Sequence, residues 1–220
     1  MRRASIVYVI VFVAVAAWAP YLSAYYQSLG ISLGEIGLLL AMTSAVSLLS
    51  APTWGVVHDR YPKSRVLALL AAALAALGAS GLATVGASPL LIPSAAAFSA
   101  GAAGLLLVMD VRVLEIARAD RTRYARVRVW GSISFIVFAP LIGVLADANG
   151  LRAIFLVMIP ALVIGGLAAT TLPGRSISVK APSLRHAPRA GGRDRLPSRR
   201  QRMDPRHPKR PRMPRPPLAR

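Results

Sequence analysis

The sequence predicts an all-α membrane protein, a bundle of six transmembrane helices followed by a disordered basic tail. Three observations predict it. Six apolar runs reach membrane-crossing length, positive charge gathers in alternate connections, and the composition changes abruptly after residue 173. A hydrocarbon core of about 30 Å takes roughly 20 apolar residues of helix. Lipid offers the backbone no hydrogen bonds, so each such run must be helical. The 220-residue chain is 55% hydrophobic yet carries a formal net charge of +19, a conflict that segregation resolves. Residues 1–173 hold 12 Lys/Arg against 6 Asp/Glu, while residues 174–220 hold 15 against 2.

The first span, about 6–27, follows Arg2 and Arg3. It is longer than a secretory signal core and leads into no soluble sequence, so it reads as a span. A connection whose only charge is Glu35 leads to the second span, about 34–57. Next comes Gly55–Arg65, a charged turn with one acid, Asp59, and three bases, Arg60, Lys63 and Arg65. The third span, about 66–86, is rich in Ala and Gly, so neighbouring helices can approach it closely. An uncharged connection leads to the fourth span, about 90–110. A connection with six arginines, from Arg112 to Arg128, precedes the fifth span, about 128–146. Asp147 and Arg152 mark the last connection before the sixth span, about 152–172. Pro20, Pro140 and Pro160 fall inside spans one, five and six, where proline frees a carbonyl and kinks the helix. The alternation of basic and base-poor connections predicts a multi-pass protein of the cell (inner) membrane with both termini cytoplasmic.

Residues 174–220 contain nine prolines and too few apolar residues to bury a core, so disorder is expected. One reading is a polybasic segment drawn to anionic lipid. No aromatic residues interleave with the bases, which weighs against nucleic acid as a partner. The other reading is an out-of-frame product of a GC-rich bacterial gene, suggested by the lean to Ala, Gly, Arg and Pro.

The same inventory excludes several function classes. Cysteine is absent, which removes disulfides and thiolate metal sites. The histidines, His58, His186 and His207, are scattered, and no nucleotide loop or nucleophile elbow occurs. No enzyme, metal or cofactor is expected. Asp110 is the acid of most interest. Counting from Leu90 puts it at the interface, and a helix start near Ala95 puts it in the core. Arg60, Arg65 or Arg112 is its expected partner, with a substrate or proton role for Asp110 and Arg112 as the alternative. Glu115 lies three residues from both Arg112 and Arg118, an ordinary helical pairing. By depth, Trp18, Thr43, Ser47, Ser99 and Phe138 are candidates for a midplane cavity, with Tyr21 and Tyr25 towards its outer side. Trp and Tyr near span ends also serve as interface anchors. No ionisable residue lies securely at midplane, so an anionic solute has no obvious counter-charge here.

Three blocks carry a family resemblance. Tyr21–Leu38 resembles the passage from helix one to helix two in the lactose-permease-like and phenylpropionate-permease-like branch of the major facilitator superfamily. Gly55–Arg65 is similar to that superfamily's G-x-x-x-D-R-x-G-R-R/K turn, matching at Gly55, Asp59 and Arg60, with Lys63 and Arg65 as further bases. Pro62 stands where glycine is usual. Tyr124–Ile133 resembles the entry to helix five. The chain departs from the pattern in lacking an arginine deep in span four and in covering six helices where twelve are usual.

The resemblance implies half of a major-facilitator fold and a secondary transporter of a small solute, proton-coupled and truncated or frameshifted. It implies a conformational switch at the turn. There Gly55 would admit a neighbouring helix, and Asp59, disfavoured by its own helix dipole, would be answered across two six-helix halves. A half-transporter working as a dimer, or with a separate second half, is one alternative. A membrane-anchored protein using its polybasic tail is the other. Expected partners are membrane lipid, a small-molecule solute, and a second six-helix half or a second copy.

Overall fold

The computed structural model describes residues 2–61, 65–117 and 120–172. The readings made on Pro62, Lys63, Arg118 and the basic tail lie outside the described residues. Seven α-helices and one short 3-10 turn make up the described chain. They are α1 (Arg2–Trp18), α2 (Leu22–Ser28), α3 (Leu33–Arg60), α4 (Val66–Val85), α5 (Leu91–Ile116), α6 (Arg121–Asn149) and α7 (Ile154–Ala169). Six helical stretches are long and apolar enough to cross a membrane, with α1 and α2 forming one and the 3-10 turn Leu151–Ala153 joining α7 in another.

Proline and capping chemistry set the breaks. Pro20 lacks an amide N–H, so the first span divides at residues 19–21 instead of running through to 27. Gly30, at φ +81°, turns the chain in the left-handed region that glycine tolerates. A reciprocal cap then starts α3. The Ser32 hydroxyl oxygen accepts from the Glu35 amide, and the Ser32 amide donates to the Glu35 carboxylate at 3.0 Å. Glu35 is thus a capping residue.

Helix α3 runs to Arg60, three residues beyond the expected span, so Gly55, Asp59 and Arg60 belong to a helix end rather than a turn. It stops at Tyr61, the residue before Pro62, where the proline ring disfavours helical backbone. The fifth span likewise begins early. Asp120 accepts from the amides of Thr122 (2.9 Å) and Arg123 (3.3 Å), which starts α6 at Arg121 and makes helix of the arginine-rich connection. Pro52, Pro140 and Pro160 all lie within helices.

Helix α4 packs against α5 and α7, α1 against α6 and α7, and α3 against α5. The α4–α5 contact is backbone to backbone. A Cβ at Gly78 would lie 2.2 Å from the Phe98 amide nitrogen, and one at Gly101 would lie 2.3 Å from that of Ala75. In lipid such close approach, rather than water exclusion, holds helices together. Polar side chains bolt other pairs. Tyr25 donates to the Leu82 carbonyl (2.6 Å) at the end of α4, where carbonyls lack intrahelical partners. Ser134 donates to the Val9 carbonyl at 2.9 Å. Helices α3 and α6 stay the most open. Only 11% and 22% of their most apolar stretches are buried, against 39–50% in the other four spans. Leu48 and Ile136 are among the large apolar side chains exposed on them.

Candidate functional site

A groove of about 600 Å³ lies where α1 ends against α3 and α5. Trp18, Thr43, Ser47 and Ser99, expected near midplane, all line it, together with Phe98. Trp18 meets Phe98 edge to face, with ring centroids 5.6 Å apart. The Ser47 and Ser99 hydroxyls share a hydrogen bond of 2.7 Å, and the Ser99 oxygen is also 2.7 Å from the Thr43 carbonyl. The groove is thus lined by aromatic rings and hydroxyl-bearing side chains, and among the described residues no charged side chain lines it.

Three residues expected there are elsewhere. Tyr25 is fully buried and stacks edge to face on Phe155, with its hydroxyl on the Leu82 carbonyl. Tyr21 donates to the Ala139 carbonyl at 2.7 Å, in a space that Gly143 leaves free. The break at Pro20 makes α2 a separate helix, and both tyrosines fasten it to its neighbours. Phe138 packs against the core on α6, a helix packed chiefly on α1, and does not line the groove.

Asp110 anchors a second polar site. It accepts a hydrogen bond from the Tyr8 hydroxyl, and the Arg128 guanidinium stands 3.8 Å from its other oxygen. Arg128 also donates to the Tyr124 hydroxyl at 2.8 Å. The expected pairing with Arg112 does not form, because residues two apart on a helix point to opposite sides. Arg112 turns inward instead, 1% exposed, and donates to the Ala169 carbonyl at 2.7 Å at the end of α7, where the helix dipole favours a cation. Arg60 and Arg65, the other expected partners, are exposed.

At the α3 end, Asp59 is exposed and makes no ion pair among the described residues. A Cβ at Gly55 would meet nothing within 4 Å, so the helix approach expected there is not made within the described residues. The close contact comes one residue earlier. Trp54 donates its indole N–H to the Ala100 carbonyl (3.0 Å) and fills the space beside Gly104. His58, one turn on, is buried.

A family model described as "MFS_1 like family" matches residues 1–188. The chain belongs to the MFS_1 like family. It corresponds to the amino-terminal six-helix half of a major-facilitator transporter. The chain is 29% identical over 167 residues to the maltose permease of Geobacillus stearothermophilus, covering 76% of this chain and 42% of the permease. It is 27% identical over 175 residues to the uncharacterized transporter YwbF of Bacillus subtilis, covering 79% of this chain and 44% of that protein. The chain thus spans less than half the length of these relatives. No solved structure matches.

Within this MFS_1 like chain, sequence reasoning missed Phe98 in the groove and Tyr8, Tyr124 and Arg128 around Asp110. Tyr8 carried a signal, the one hydroxyl in the apolar run from Ile6 to Ala17. Arg128 carried another, since it follows Tyr124 by four residues on one helix face.

Proposed function

We propose that this six-helix body is one half of a secondary transporter of a small, neutral, hydroxyl-bearing solute, with a disaccharide as the leading class. The observation that carries this is the uncharged groove at Trp18, Phe98, Ser47 and Ser99. Aromatic rings accept the apolar face of a sugar ring, and hydroxyls in the same groove exchange hydrogen bonds with the ring substituents. A relative named maltose permease supports the same class. Transport proceeds by rocking this body against a second six-helix body around the groove. The open faces of α3 and of α6 beyond Trp130, where Ile133, Ile136 and Leu141 are exposed, are the surfaces such a body would cover. Both termini lie in the cytoplasm, with the protein in the inner membrane. Asp110, an acid within a span, would be the group of this half that exchanges a coupling proton, a reading supported by its setting in apolar sequence.

The test is uptake of labelled maltose by proteoliposomes. The full chain together with the part of the maltose permease beyond the matched stretch is expected to accumulate it, and the chain alone is not. Accumulation by the chain alone, or none by the pair, overturns the reading. Cysteine at Leu48, in a chain with none of its own, separates the two kinds of second body. Self-crosslinking there would make the partner a second copy.

A further inference from the structure

A second groove, of about 930 Å³, opens between the first turns of α1 and the first turns of α6. Its mouth carries Arg2, Arg123 and Arg126, and its floor is Ile6, Val9, Val127 and Trp130. No acid lines it. Arg123 is engaged by Asp120 at 3.2 Å, whereas Arg2 and Arg126 have no acidic partner among the described residues. The N-termini of both helices end here, adding partial positive charge to that of the guanidinium groups. Tyr8, on the same helix as Ile6 and Val9, turns instead to Asp110 and Tyr124 and does not line the groove. The groove shares no lining residue with the one at Trp18 and Ser99. Base-rich at a span boundary and apolar within the span, it matches the two parts of one molecule.

We propose that this groove is a specific seat for an anionic phospholipid, its phosphate between Arg2 and Arg126 and an acyl chain along Ile6, Val9, Val127 and Trp130. Guanidinium groups bind phosphate oxygens in paired hydrogen bonds, and an indole at the membrane boundary packs on the glycerol and upper chain. The lipid would tie the open helix α6 to α1 at one end.

The test uses the full chain in phosphatidylcholine nanodiscs containing a small fraction of brominated phosphatidylglycerol, read by tryptophan quenching. The quenching lost in Trp130→Phe isolates the groove from Trp18 and Trp54. Brominated phosphatidylglycerol is expected to quench that component more than brominated phosphatidylcholine does. Arg2→Gln with Arg126→Gln should weaken the preference on the order of tenfold. Arg210→Gln with Arg212→Gln, in the tail, should leave it intact. Equal quenching by the two lipids, a preference that survives the groove substitutions, or one lost with the tail substitutions overturns the proposal. Competition by inorganic phosphate overturns the lipid assignment in favour of a soluble anion. Should the groove variant fold poorly, photoactivatable phosphatidylglycerol on the unsubstituted chain decides. Labelling of the peptides holding Ile6–Val9 and Val127–Trp130 supports the seat, and labelling confined to the tail rejects it.

Discussion

The Tyr8 hydroxyl of α1 donates to the Asp110 carboxylate of α5, across 102 residues of sequence. With Arg128 of α6 on the same carboxylate, this contact gathers three helices at one point. Removing the Tyr8 donor leaves the acid with Arg128 alone among the described residues. Tyr8→Phe is expected to lower thermal stability in detergent by about 1–2 kcal/mol while keeping helicity. Arg128→Gln should cost less, because that side chain is half exposed and screened. A larger loss for Arg128→Gln would place the weight of the cluster on the ion pair.

Asp110→Asn tests the coupling role proposed for that acid. The paired halves carrying it should still exchange labelled maltose across the bilayer but no longer accumulate it on a proton gradient. Undiminished accumulation would remove Asp110 from coupling.

The α4–α5 contact has no slack. Gly78→Leu puts a side chain where the Phe98 backbone already sits and should cost about 3 kcal/mol or prevent folding. Gly37→Leu, at a position with nothing within 4 Å, is the control and should be near neutral. Protease resistance in detergent compares the two.

Trp18→Ala removes the aromatic ring that meets Phe98. In the paired halves it should raise the KM for maltose on the order of tenfold while sparing protein level. Ser32→Ala, in the cap of α3, should instead cost about 1 kcal/mol of stability and leave KM unchanged.

The spans were legible because lipid imposes length and apolarity on each, and both are written residue by residue. Their ends were less so. Asp120 capping α6 and Pro62 stopping α3 at Tyr61 are local signals, outweighed by the apolar pattern when spans are counted by hydropathy alone. Depth placed Trp18, Thr43, Ser47 and Ser99 at one level, and the fold brought them to one groove. Depth says nothing of rotation about the helix axis, so Phe138, Tyr21 and Tyr25 stood at suitable levels and faced other neighbours. Asp110 was picked out as an acid in apolar sequence, yet its partners lie on α1 and α6, beyond what spacing along α5 reveals.

The bolts of this bundle end mostly on main-chain oxygens: Tyr25 on Leu82, Tyr21 on Ala139, Trp54 on Ala100, Ser134 on Val9 and Arg112 on Ala169. Every residue type presents the same carbonyl, so only one member of each pair is constrained by chemistry. Positions 82, 139, 100, 9 and 169 are free to drift as far as packing allows without loosening the bond. Paired substitutions traced through evolution should therefore mark Tyr8 with Asp110 and pass over these five joints, although they hold the same helices in place.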